Sequence, residues 1–473
     1  MDSMYRFRPM SRLINEDGVS GELDSLYIYF ADRESLNDPL EGYKNIFFSG
    51  DKIIWRNLLK HYTRCLTNDC YLYLTSTNGN TLKSEIDIFA SKTDSHSSKN
   101  ELNNRIMHRL DSEPGLAQYI ELLGNNRKIS RPELIGHLNL VHTVVLSAIL
   151  NTLQEHNTSK EPTSFFSERA AEHMNKIRLL VRNVLEAEPS SRSLQDIMES
   201  SYLLTLELQL RNRHYANISA EKEHWAYLLF EYPESYCMSL DKLIYPDWYV
   251  ACFMESCTDS SIWGTYGGNH QDVCLIFRVE EFDGRPSIKL NCPAGLRDEE
   301  IVYEKMNIPL EKVTYDQDFI DVDFFRSLGQ LSMPKINEWY FSEDGDPSIC
   351  AEDMQLDIDA WRNKYWDNYR NSSKIKLKAW DREQEWRVTF HSNIHDLSNR
   401  ELRKFKFEFD SLEGIIFGIN TTMNDKLKLI KKIESLCSLH KRAKFNFYQA
   451  TYNATTKDIK HFLLSHIQVG HQD

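Results

Sequence analysis

The chain has 473 residues, 41% of them hydrophobic and 27% charged. This is the balance of a globular protein, with length for about two or three domains. Its 70 Asp and Glu outnumber 56 Lys and Arg, giving a formal net charge of -14 that disfavours non-specific binding to nucleic acid or anionic membrane.

The opening Met-Asp-Ser-Met-Tyr-Arg-Phe-Arg lacks the apolar stretch of a signal peptide. The longest apolar candidate, Leu138 to Leu150, is broken by His142, Thr143 and Ser147, so no membrane span is expected. Nine cysteines form no Cys-x-x-Cys pair. Structural zinc would want tighter spacing than Cys65/Cys70 or Cys252/Cys257, so reduced thiols, no metal and a cytoplasmic location are expected.

In chain order, Leu26, Ile28 and Phe30 alternate with Tyr27 and Tyr29, as in a strand running into Ala31. Asn37-Asp38-Pro39 marks a turn, with Asn37 or Asp38 alternatively at the rim of a pocket. A helix is expected over 53–66 and a strand over 70–75, then a polar loop and boundary over 81–103. Ser130-Arg131-Pro132-Glu133 has the pattern that opens a helix, here running to about Leu153. Two further helices are expected over 164–187 and 194–211. Beyond 230 the texture is mixed. Val273 to Val279 reads as a strand buried on both faces, and Phe405, Phe407 and Phe409 as the inner face of another. A strand over 414–419, a helix over 423–439 and a strand over 444–449 make a βαβ unit with a parallel pair.

The expected fold is therefore α+β. A mixed-sheet domain is built from both chain ends, residues 1–99 and 230–473, with a helical insertion over 100–229 and a C-terminal βαβ unit. The insertion packs on itself or on a protein partner.

The most informative stretch is Asp381 to Phe390. Strand alternation puts Glu383, Glu385 and Arg387 on one face and Trp386, Val388 and Phe390 on the other. Carboxylates held opposite an apolar face suit a site that stabilises developing positive charge. The same pattern describes a solvated charge ladder.

Three separated segments resemble a bacterial family catalogued as domain of unknown function 2971. They are Met4 to Arg8 with Tyr29-Phe30-Ala31 and Ser35 to Glu41; Cys252 to Ser256 with Ile262 to Tyr266 and His270; and Lys378-Ala379-Trp380 with Glu383 to Arg387 and Ile416-Phe417-Gly418. The chain departs from that family's pattern at Asp272, where a glycine is usual, and at Met254, where a serine is usual.

The order of an early-strand arginine, aromatic-x-x-Ser, Tyr and a late Glu-x-Glu also resembles the ADP-ribosyltransferases, although Met254-Glu255-Ser256 offers one small hydroxyl residue where that pattern carries two. The resemblance implies NAD as substrate, cleaved through an oxocarbenium-like transition state. Glu385 would hydrogen-bond the ribose 2′-hydroxyl, and Glu383 would orient or deprotonate the acceptor. Arg8 or Arg6 would bind pyrophosphate, Ser256 would position the ribose or the carboxylate, and Tyr266 or Trp263 would stack on nicotinamide. Each has a plainer reading: Arg6 and Arg8 as the wet face of a strand, Ser256 as a loop serine, Trp263 and Tyr266 as packed helix neighbours. The expected function is an NAD-consuming transferase or glycohydrolase, an effector in bacterial toxicity or phage defence. The alternative is a non-catalytic module that senses a small ligand or engages another protein.

Overall fold

A computed structural model describes residues 2–14, 20–75, 85–92, 97–155, 164–187, 191–215, 225–298, 300–392, 396–467 and 469. The chain is α+β and divides into two compact units. Unit 1 takes Met1–Tyr43, Pro246–Phe319 and Arg370–Asp473, and unit 2 takes Lys44–Tyr245 and Ile320–Tyr369.

Unit 1 is built on a nine-stranded sheet. From one edge its order is Glu311–Lys312, Glu385–His391, Trp248–Met254, Ser3–Arg8, Val273–Arg278, Leu412–Phe417, Asn446–Asn453 and Asp458–Leu463, with Ala31–Asp32 also paired to Trp248–Met254. Both chain ends thus meet in one sheet. Leu412–Phe417 and Asn446–Asn453 run parallel, joined by the helix Met423–His440, and this is the βαβ unit that the alternation of patterns indicates. A five-stranded sheet packs against the first through Ile28, Leu290 and Phe405, which share a core with Phe253, Leu275 and Val388. The opposite face of the large sheet buries Phe7, Met254, Trp263 and Ile276.

Unit 2 is mainly helical, with long helices at Lys52–Thr75, Arg131–Glu155, Ser164–Ala187 and Ser191–Tyr215. The strand expected over 70–75 is instead the end of the first of these helices. Tyr62, Cys65, Leu66 and Cys70 recur at helical spacing on its buried side, so packing overrides the strand preference of that aromatic and threonine-rich stretch. Residues 81–84 and 93–96 of the expected polar loop lie outside the described residues.

The unit boundaries fall at 43/44 and 245/246 rather than at 99 and 229, and unit 2 also claims 320–369. Tertiary pairing explains this. The Tyr62 hydroxyl meets His142 Nδ1 at 2.7 Å, tying the first long helix to the second. The strand Asp321–Asp323 pairs in parallel with Asn45–Phe48. The helix Arg131–Glu155 is long and apolar enough to cross a membrane, but 78% of its most apolar window is buried, as in a core helix. A π-helical turn at Tyr227–Glu231 precedes Pro233, which has no N–H to offer the preceding turn, and His142 Nε2 lies 2.7 Å from the carbonyl of Leu228.

Candidate functional site

The strand Glu385–His391 begins abruptly. A 3₁₀ turn at Lys378–Glu383 ends in Gln384, whose left-handed backbone (φ 43°, ψ 52°) redirects the chain before the strand starts. Glu383 therefore lies on the turn rather than on the strand. It reaches the same cation as Glu385 because of that kink. The Glu385 N–H donates to the Tyr315 hydroxyl at 2.9 Å and its carbonyl accepts from Val313 at 2.9 Å, which fixes the backbone.

Five charged side chains meet here, each no more than 5% exposed: Glu41, Lys376, Glu383, Glu385 and Arg387. Lys376 Nζ donates to Glu383 Oε2 at 2.5 Å and to Glu385 Oε2 at 3.0 Å, with Glu41 Oε2 at 3.6 Å. Arg387 forks onto Glu385 through Nε (2.8 Å) and Nη2 (3.1 Å), and its Nη1 donates to the Ser373 carbonyl at 2.6 Å. Arg387 Nη2 also stands 2.5 Å from Glu41 Oε1, but out of line for a hydrogen bond. The solvated charge ladder is excluded: this is a buried ionic network, and the cation among its three carboxylates is the Lys376 ammonium.

Burial pushes the Glu385 carboxyl up, but Arg387 and Lys376 outweigh it and hold the group well below the usual carboxylate range. Glu383 and Glu41 are held above that range, chiefly by burial. Burial depresses the Lys376 ammonium, yet Glu385, Glu383 and Glu41 together keep it above an ordinary lysine. Three carboxylates face two cations. The network is one negative charge in excess.

Around it opens a cleft of about 780 Å³, lined among others by Arg6, Arg8, Glu41, Cys252, Tyr266, Lys376, Glu383 and Glu385. Its origin is a parting of strands. Ser3–Arg8 pairs with Trp248–Met254 at one rung only, Tyr5 opposite Met254, while Ala31–Asp32 pairs further along at Val250 and Tyr249. Between those points the backbone of Cys252, paired with Arg387 on its other side, has no strand on this side. Arg6 fills the gap, its Nη1 donating to the Cys252 carbonyl at 2.8 Å and its Nη2 to the Tyr29 carbonyl at 3.2 Å.

Arg6 is buried, its Nε has no hydrogen-bond partner among the described residues, and its guanidinium is pulled down to about 10 by burial and by Arg8. Arg8 forks onto Glu22, with Nε 2.9 Å from Oε2 and Nη2 against Oε1. Neither arginine is simply the wet face of a strand.

The structure gathers Arg6, Arg8, Tyr266, Glu383 and Glu385 around one cleft and leaves two candidates outside its lining. Tyr266 ends the helix Ser260–Tyr266, which is capped by Asp259, and its hydroxyl donates to Glu383 Oε1. Trp263, three residues earlier, is fully buried, donates to the Cys257 carbonyl at 2.7 Å and meets Phe7 edge-on at 4.8 Å. It is a core residue and not a stacking platform. Ser256 bonds locally to Thr258, Oγ to Oγ1 at 2.9 Å, because the chain turns away directly after the strand.

Asn37 lines the cleft and its side chain reaches Tyr266, whereas Asp38 is buried and caps its own turn, accepting from the Leu40 N–H at 2.9 Å. That turn presents Glu41. The next residue, Gly42, has φ 61°, and a Cβ there would stand 2.6 Å from the Trp248 ring. Asp272 accepts from the Met10 N–H at 3.0 Å, a structural use for the carboxylate that stands in place of the expected glycine.

Sequence reasoning missed Lys376 and Glu22. Lys376 is the middle of three lysines, Lys374, Lys376 and Lys378, that alternate with Ile375 and Leu377, and nothing in that pattern marks it as the buried one. No family model, curated protein or solved structure matches the chain.

Proposed function

We propose that unit 1 binds NAD in this cleft and breaks its nicotinamide–ribose bond, as an ADP-ribosyltransferase-like enzyme or NAD glycohydrolase. The observation that carries this reading is the division of charge along the cleft lining. One cluster is the network of Glu41, Glu383 and Glu385 with Lys376 and Arg387, which is net negative. Among the described residues, the other holds Arg6, Arg8, Arg12, Arg400 and Lys404 against Glu22 and Glu401. NAD has the matching polarity: a pyridinium cation at one end and a pyrophosphate dianion in its middle. A cleft of this volume is in the range that encloses such a ligand.

In this mechanism the arginines bind pyrophosphate through paired hydrogen bonds. Tyr266 packs against the nicotinamide ring. As the bond to nicotinamide stretches, positive charge develops on the ribose, and the ionised Glu385 with its excess-negative surroundings stabilises it. Glu383, whose carboxyl burial pushes upward, takes the proton of the attacking acceptor or water. The negative cluster thus favours the transition state more than the ground state, in which that charge is absent from the sugar.

One observation favours a second reading. The oxygens of Glu385 already accept three hydrogen bonds from Arg387 and Lys376, which leaves little capacity for a ribose hydroxyl. In that reading the module binds the nucleotide without cleaving it. Calorimetric titration with NAD, run beside an assay for free nicotinamide, separates the two. Binding with release supports the enzyme, and binding without release supports the sensor. No binding at all contradicts both.

A further inference from the structure

We infer that Glu22 is a built-in competitor for the ligand's phosphate, seated on the Arg8 fork where that phosphate belongs. This rests on reading the basic cluster as the pyrophosphate end. A guanidinium fork accepts a carboxylate or a phosphate with the same paired geometry, so the seat filled by Glu22 is chemically a phosphate seat. Both Arg8 and Glu22 line the cleft. Their side chains are 12% and 5% exposed, so the pair is largely removed from water.

Arg6 sits beside it with a second buried guanidinium. Among the described residues its hydrogen-bond partners are backbone carbonyls, and none of its nitrogens meets a carboxylate. Among the described residues, a buried guanidinium and a largely covered one therefore stand beside a single buried carboxylate, which pairs with Arg8 alone. Such a site is a negative charge short, and an uncompensated buried charge is costly. A pyrophosphate brings two negative charges, enough to balance both arginines and release Glu22.

The helix that carries Glu22 has anchors other than the Arg8 pair. Glu22 opens the short helix Glu22–Ser25. That helix is held independently by the Gly21 N–H donating to Asp24 Oδ2 at 2.7 Å and by Lys432 on Asp24 Oδ1 at 2.5 Å. Glu22 thus sets a threshold. A ligand must offer more to Arg8 than a carboxylate already does.

The test is calorimetric titration of the full chain with ADP-ribose, using wild type, Glu22→Gln, Arg8→Gln and the double variant. Removing the competitor should tighten ADP-ribose binding about tenfold or more, the scale of one charge-assisted hydrogen bond. The gain should vanish in the double variant, because the competition is for Arg8. Unchanged or weaker binding by Glu22→Gln, or a gain that persists without Arg8, would overturn the inference and mark the pair as structural. Should Glu22→Gln fail to fold, Glu22→Asp withdraws the carboxylate by one methylene and should show a smaller gain in the same direction. Nicotinamide release is read separately. Release with no Glu22 effect leaves the enzyme standing and removes the competitor; a Glu22 effect without release does the reverse.

Discussion

At the scale of single residues, the molecule concentrates its risk in five side chains. Glu385 is ionised, buried and shared between Arg387 and Lys376, so neutralising any one of the three leaves an unpaired charge in low dielectric. Breaking such a buried pair costs about 3–5 kcal/mol. Lys376→Met and Glu385→Gln should each lose stability on that scale in urea denaturation. Glu383→Gln should lose far less, about 1 kcal/mol, because Glu383 meets one cation where Glu385 meets two, and Tyr266 can still donate to the amide oxygen. Equal losses from all three variants would refute the unequal roles assigned to the two glutamates. Alternation made the pairing of Glu385 with Arg387 on one face legible in the sequence. Their burial was not legible, because the cover comes from Glu41, far away in sequence, and from Lys376, nine residues before Glu385 on a separate segment that no local pattern ties to the strand.

At the scale of elements, the site depends on one kink and one parting of strands. Gln384 has φ 43°, a conformation that costs a β-branched residue about 1–2 kcal/mol. Gln384→Val should therefore lower the melting temperature, while Gln384→Gly should be neutral or stabilising. If valine is tolerated without loss, the kink does not position Glu383. The strands themselves were readable where one pattern dominates, as in Val273–Arg278, the Phe405–Phe407 strand and the βαβ unit. The stretch 70–75 was misleading. Its residues favour a strand in isolation, and burial along Lys52–Thr75 decides otherwise. The gap that makes the cleft is a property of strand pairing between residues far apart in sequence, so no local pattern announces it.

At the scale of the whole molecule, net charge and buried histidines set two expectations. A chain of -14 should show no salt-sensitive, micromolar binding to random DNA or RNA in anisotropy titrations near physiological salt. Such binding would mean that the basic cleft cluster serves nucleic acid. In unit 2, burial holds His61 down at about 3 and His142 at about 4. Their folded values lie below the ordinary value near 6.5, so the folded state favours the neutral rings. The stability they allow is complete above about pH 6.5 and is lost as pH falls toward 4, at up to about 1.4 kcal/mol per group and pH unit. Unit 2 should melt at clearly lower temperature at pH 5 than at pH 7.5, and His142→Gln should reduce that pH dependence. The π-turn before Pro233, where His142 meets the Leu228 carbonyl, is the region where amide hydrogen exchange should quicken first.

The central claim is that the negative cluster of unit 1 stabilises a ribosyl cation. It is tested most directly by the rate of nicotinamide release at saturating NAD, for wild type and Glu385→Gln, at a temperature where melts show both folded. Wild type should release nicotinamide and the variant should lose about 100- to 1,000-fold in rate, with little change in the affinity for ADP-ribose. No release by wild type while NAD is bound, or an undiminished rate in Glu385→Gln, would contradict it.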